Sequence, residues 1–89
     1  MLFLVIEQFR PDSVETIGER FRSKGRMLPD GVTYHASWVD PRAARCFQIM
    51  EAPSAETLGT WTRCWDDLVD FQIIPVVTSA EFWNQVQDR

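Results

Sequence analysis

Val32-Thr33-Tyr34-His35-Ala36-Ser37-Trp38-Val39-Asp40, a turn at Asp40-Pro41-Arg42, and then the run from Arg45 through Cys46-Phe47-Gln48-Ile49-Met50 to Ala52 form the stretch that decides the fold. Both flanks are rich in β-branched, aromatic and long apolar residues, which suit a pleated, half-buried surface. The connection is too short for a crossover. The two strands, Val32 to Asp40 and Arg45 to Ala52, therefore form an antiparallel hairpin.

Leu2 to Phe9, upstream, reads as a further strand, closed by Arg10-Pro11-Asp12. Asp12 is placed to cap a helix, with Glu15 three residues on in capping-box spacing. Val14, Ile17, Phe21 and Leu28 recur at helical spacing among Arg20, Arg22, Lys24 and Arg26. Gly25 suits a left-handed terminator, and Pro29-Asp30-Gly31 a turn. Downstream of the hairpin, Ser54 caps a second helix in which Leu58, Trp61, Trp65 and Leu68 form one apolar stripe. Phe71 to Thr78 is the fourth strand, and Ser79 caps a short terminal helix bearing Phe82, Trp83 and Val86.

The order β-α-β-β-α-β with a tail helix predicts one domain over residues 1–89. Right-handed crossovers place its four antiparallel strands in the order 4-1-3-2, with both main helices on one face, an α+β ferredoxin-like arrangement. Pro75 agrees, since proline is tolerated in an edge strand and the fourth strand would be one. Asp66, Asp67 and Asp70 crowd the end of the second helix, where the macrodipole disfavours anions. The two helices follow parallel strands, so their C-terminal ends should be neighbours. The aspartates then match the basic end of the first helix, with a binding role as the competing reading. Exposed pairs of this kind orient more than they stabilise.

Composition bounds the function. The chain has 89 residues, 45% hydrophobic and 25% charged, which is globular rather than disordered. So short a chain buries only about two-thirds of its unfolded surface. Four tryptophans and six phenylalanines are more aromatic area than one small core easily hides, which predicts a homodimer. A net charge of -4 argues against nucleic acid as a partner. Two cysteines, Cys46 and Cys64, are too few and too far apart for a disulfide scaffold or a zinc knuckle, and a reduced, cytoplasmic compartment is the default. The apolar run Met1 to Ile6 stops at Glu7, without a basic leader, and is too short for a signal peptide or a membrane span.

Pairing Asp40 with Arg45 sets Trp38 opposite Phe47, Ala36 opposite Ile49 and Tyr34 opposite Glu51. This more apolar set is expected under the helices. Thr33, His35, Ser37, Cys46, Gln48 and Met50 then share the open face, a mixed lining that suits a ligand cavity. His35, Ser37, Gln48 and Glu7 are the candidate ligand-binding residues. An imidazole, a hydroxyl and an amide could together hold an oxygenated compound. His35, the single histidine, has the chemistry of a general base, or is a half-buried histidine bonded to a neighbour. Glu7 and Glu51 are further acid–base candidates, or strand-end charges and salt-bridge partners. Trp61 and Trp65 read as core residues rather than cofactor-stacking ones. No Gly-rich phosphate loop, metal-ligand spacing or RNA-binding signature is present, and no catalytic residue can be assigned.

The segments Val32 to Pro41, Cys46 to Pro53 and Trp65 to Phe71 resemble a family of short bacterial proteins classed only as a domain of unknown function, nearly from end to end. That family in turn resembles the dimeric α/β-barrel superfamily, in which two ferredoxin-like sheets pack by their open faces. Its members include cofactor-free monooxygenases, muconolactone isomerases and haem-dependent chlorite dismutase-like proteins. The resemblance implies a homodimer and transfers no catalytic residue; activity at this distance is analogy of fold. Two function classes follow. One binds or transforms a small aromatic or oxygenated metabolite, in a cavity on the open face or between sheet and helices. The other is a non-catalytic dimeric module for a ligand or protein. Neither needs a cofactor, although His35 could in principle ligate haem.

Overall fold

The computed structural model describes residues 1–87. Its elements are β1 (Leu2–Phe9), α1 (Val14–Lys24), β2 (Thr33–Asp40), β3 (Arg45–Glu51), α2 (Ala55–Thr62), β4 (Val69–Val76) and α3 (Ser79–Gln87). The sheet is antiparallel throughout with the order β2-β3-β1-β4, the expected ferredoxin-like topology. Pro75 does lie on an edge strand, since β4 pairs only with β1. The long β1 sets the bounds of β4: Phe9 aligns with Val69 and Leu2 with Val76, two residues earlier at each end than the apolar run suggested.

Helix ends depart from the sequence reading in three places, each for a local reason. Asp12 adopts a φ of 62° and Ser13 takes the cap position of α1. The Ser13 hydroxyl does not cap; it is shared between the carbonyls of Arg10 (2.6 Å) and Leu68 (3.1 Å). α2 does begin at a Ser54 cap, whose Oγ accepts the Thr57 N–H at 3.2 Å. It stops at Thr62, short of the predicted stripe. Glycine and threonine are weak helix formers, and the hydroxyls of Thr60 and Thr62 bond back to the carbonyls of Thr57 and Gly59. Residues 63–68 turn instead, which puts Asp66 and Asp67 in the turn, not on a helix end. For α3, the cap is Thr78, whose Oγ1 accepts the Glu81 N–H at 3.1 Å.

The geometry behind the expected charge match is overturned, because β1 and β3 run antiparallel, so the helices that follow them do not share a direction. The turn after α2 meets the start of α1, where Arg10 N–H and the Ser13 hydroxyl bond the Leu68 carbonyl, and the charge pairing that remains is narrower than expected. Arg20 grips Asp67 with two bonds of 2.8 Å and the Cys64 carbonyl with one of 2.9 Å, tying α1 to the turn. Asp70 pairs with Arg10, from the end of β1, at 3.0 Å. Arg22, Lys24 and Asp66 form no ion pair among the described residues.

The core lies between the sheet and α1 and α2. Phe3, Val5, Val32, Met50, Ala52, Leu58, Trp61 and Trp65 form one buried cluster, with Ile17 packed against it. Phe3, Met50 and Leu58, wholly buried, contribute about 1.5–3 kcal/mol each. Among the described residues the opposite face is covered less completely, with Glu81 of α3 bordering one end of it. Leu2, Leu4, Ile6, Phe47, Ile49, Ile74 and Val76 are only partly buried there, and Trp38 is 63% exposed.

For most of the hairpin the two faces are therefore the reverse of the sequence assignment: Ser37, Cys46, Gln48 and Met50 lie under the helices and Ala36, Trp38, Phe47 and Ile49 on the open face, while Tyr34 and His35 lie where expected. Asp40–Arg45, Trp38–Phe47 and Ala36–Ile49 pair as expected, but Tyr34 pairs with Met50, not Glu51, because the register shifts between Tyr34 and Ala36. The extra residue is His35. It bulges β2, so that Tyr34 and Ser37, three apart, both approach the helices. β3 could not signal its own facing. Cys46, Gln48 and Met50 alternate with Phe47 and Ile49, and both sets contain apolar residues. Pairing with β1 decides it, because Phe3 sits beside Met50, Val5 beside Gln48 and Glu7 beside Cys46.

Candidate functional site

Phe3, Val5 and Glu7 share the inner face of β1, so regular alternation drives a carboxyl under the helices. Glu7 is 9% exposed and borders a cavity of ≈ 140 Å³ between sheet and helices. Gln48 Nε2 donates to Glu7 Oε2; Oε1 receives no hydrogen bond among the described residues. Burial pushes the Glu7 carboxyl from 4.5 to about 7, with the Arg26 charge opposing part of that rise. A carboxyl so placed can hold or release a proton near neutrality. The neighbouring Cys46 thiol is pushed up to about 11, chiefly by burial and then by Glu7, so it stays a neutral wall of the site.

Arg26 builds the opposite side. Its carbonyl accepts the indole N–H of Trp61 at 2.9 Å and of Trp65 at 3.1 Å. One carbonyl thus satisfies both buried indole donors and holds the two rings against the cavity. The next residue, Met27, has a φ of 59°, an uncommon conformation for a non-glycine residue. Its strain is borne beside the most heavily bonded point of the loop from α1 to β2. The Arg26 guanidinium lies 3.6 Å from the Tyr34 ring centroid and 5.1 Å from that of Phe21. It makes no ion pair among the described residues, Glu7 included. Tyr34 and Ser37 meet through their hydroxyls at 2.7 Å, a contact that the His35 bulge permits.

Of the four candidate residues, Glu7, Ser37 and Gln48 come together at this cavity, on the helix-covered face rather than the open one. His35 does not. Its side chain is on the other face, where Nε2 lies 2.9 Å from Glu51 Oε1, both groups about half exposed. The pair borders a shallow apolar groove with Leu2, Ile49 and Val76. This is the bonded-neighbour reading for His35 and the salt-bridge reading for Glu51. Trp61 and Trp65 are buried core residues that also wall the cavity. Arg26 was read only as a helix-end charge, and nothing in its local sequence says that its side chain turns inward. Tyr34 was likewise hidden by the register, whereas Cys46 lines the cavity beside Ser37 and Gln48, as the mixed set on that strand face implied. Among the described residues no group of His, Cys, Asp and Glu could hold a metal ion, and no helix is long and apolar enough to cross a membrane.

No curated protein and no solved structure significantly matches the chain. The family model described as "Domain of unknown function (DUF3303)" does, over residues 1–89, which agrees with the sequence's resemblance to a domain of unknown function. With the whole chain covered, the protein belongs to the DUF3303 family.

Proposed function

We propose that this protein binds a small oxygenated compound of about one ring in size, in the cavity between sheet and helices. The observation that carries this reading is a buried carboxyl, Glu7, facing a space walled by two indoles and bordered by an amide, a hydroxyl and a guanidinium. Size supports the class of ligand. Apolar cavities of about 150 Å³ take up benzene, and this one is ≈ 140 Å³. A single ring fits, whereas a haem macrocycle does not. A few convergent polar groups in a mostly apolar lining orient such a ligand.

The working unit is a homodimer. Its support is the open face of Leu4, Ile6, Phe47, Ile49 and Trp38, an apolar area large for a lone soluble chain, together with the resemblance to the dimeric α/β-barrel superfamily. A second copy meeting this face would leave the cavity, on the far side of the sheet, free for its ligand. Whether the bound compound is also transformed depends on Glu7, the one group in the cavity equipped to move a proton.

Nuclear magnetic resonance tests the reading directly. Phenol, catechol, benzyl alcohol and benzoate would be titrated against labelled protein while the indole N–H resonances of Trp61 and Trp65 are followed. Saturable shifts at these two indoles, with those of Trp38 and Trp83 unmoved, are expected. Silence at both indoles across the panel up to millimolar concentration would end the proposal.

A further inference from the structure

Two functional groups at the cavity have capacity to spare. Among the described residues Glu7 Oε1 accepts no hydrogen bond, and the Arg26 guanidinium, with five donors, meets the faces of Tyr34 and Phe21 and makes no ion pair. They are close enough for the Arg26 charge to act on Glu7, yet too far apart to form an ion pair. Both line the same ring-sized space as Trp61 and Trp65. A planar group with two acceptor oxygens fits this arrangement best, because the guanidinium fork matches a carboxylate in geometry and charge.

We propose that the cavity selects a small aromatic carboxylate, held with its carboxylate between Arg26 and a protonated Glu7 and its ring against the two indoles. The inference rests on the small-molecule reading above and narrows it to one chemical class. Two carboxyl groups at such a distance cannot both stay ionised, so they share one proton, and binding is coupled to proton uptake wherever free Glu7 is ionised. The other groups facing Glu7 do not supply that proton. Cys46, paired with Glu7 across the sheet in β3, is a titratable neighbour, and its thiol is neutral at these pH values. Gln48 and Ser37 do not titrate, Tyr34 is engaged with Ser37, α2, the turn after it and β4 present Trp61, Trp65 and Phe71, and Arg20 beside Trp65 is committed to Asp67.

Calorimetric titration with benzoate at about pH 8, in two buffers of different ionisation enthalpy, reads both parts of the proposal. Uptake approaching one proton per benzoate is expected there, falling towards zero at about pH 5.5, where Glu7 is already protonated. Arg26→Gln should weaken benzoate at least about tenfold and benzyl alcohol much less, so that the ratio of the two affinities falls. Arg26→Lys, which keeps the charge without the fork, should fall between; it also guards against misfolding in the glutamine variant. Glu7→Gln should bind benzoate with no proton exchange. Benzyl alcohol binding as tightly as benzoate, or benzoate binding without proton uptake, would overturn the carboxylate inference and leave the small-molecule cavity standing. Failure of every ring compound to bind would overturn both.

Discussion

Replacing Glu7 with glutamine keeps the shape of the side chain and removes its proton equilibrium, so the variant isolates what a buried carboxyl does to stability. The folded protein holds the Glu7 proton up to about pH 7, whereas an unperturbed carboxyl releases it near 4.5. Between these values the native state binds more protons than the unfolded one, and stability must fall as the pH rises. The contribution is intact below 4.5 and lost by the time the pH has passed 7. At about 1.4 kcal/mol per tenfold change in proton affinity, the full loss is roughly 3 kcal/mol. Little of it is screened, because Glu7 is only 9% exposed. Glutamine has no charge to desolvate, and its carbonyl can still accept the Gln48 amide. Glu7→Gln should therefore match the wild type at about pH 4 and exceed it by about 2–3 kcal/mol at about pH 8. For a domain of this length that corresponds to a rise in Tm of roughly 10–20 °C at the higher pH. Urea and thermal unfolding followed by circular dichroism, on both proteins across this range, make the measurement. Parallel stability–pH profiles would refute the assignment of a raised pKa to Glu7, and with it the proton exchange proposed for the cavity.

Light scattering at micromolar concentration should give twice the chain mass of 10.4 kDa. Trp38→Glu, on the open face, should shift the population towards monomer; a wild-type monomer would discard the dimer. Reversing Arg20 to Glu should destabilise modestly and Asp67→Lys should restore part of the loss, while the same cycle at Arg22 should be additive because Arg22 has no acidic partner among the described residues. A thiol reagent at about pH 8 should label Cys64 in the native protein and leave Cys46 untouched until unfolding, since burial holds the Cys46 thiol neutral and out of reach. Equal labelling rates would mean that the cavity wall at Cys46 opens freely.

Element order, strand order and the antiparallel hairpin were legible in the sequence because each rests on local signals. A short turn at Asp40-Pro41-Arg42 permits only an antiparallel return, and Pro75 marks an edge. Three of the four candidate ligand residues also meet in the structure, because alternation along β1 and β3 keeps Glu7 and Gln48 on one face whichever face that is. The boundaries of α2 were less legible. Its apolar stripe runs on to Trp65 and Leu68, and the indole of Trp65 is buried as the stripe implies, but Gly59 and the threonine hydroxyls end the helix earlier.

Local signals in the sequence settle which chain segments pair and that one hairpin face is more apolar and the other mixed, since periodicity and turn chemistry act over a few residues. Only the tertiary structure decided which face the helices cover and which residues meet there. One extra residue at His35 shifts the register of β2, sends the imidazole outward to Glu51 and brings Tyr34 and Ser37 inward together. Arg26 joins them from a loop, held by two indoles 35 and 39 residues further along the chain. A strand with apolar residues on both sides carries no preference for either face. Its facing is set by neighbours distant in sequence, and a single bulge is enough to reverse what alternation alone would predict.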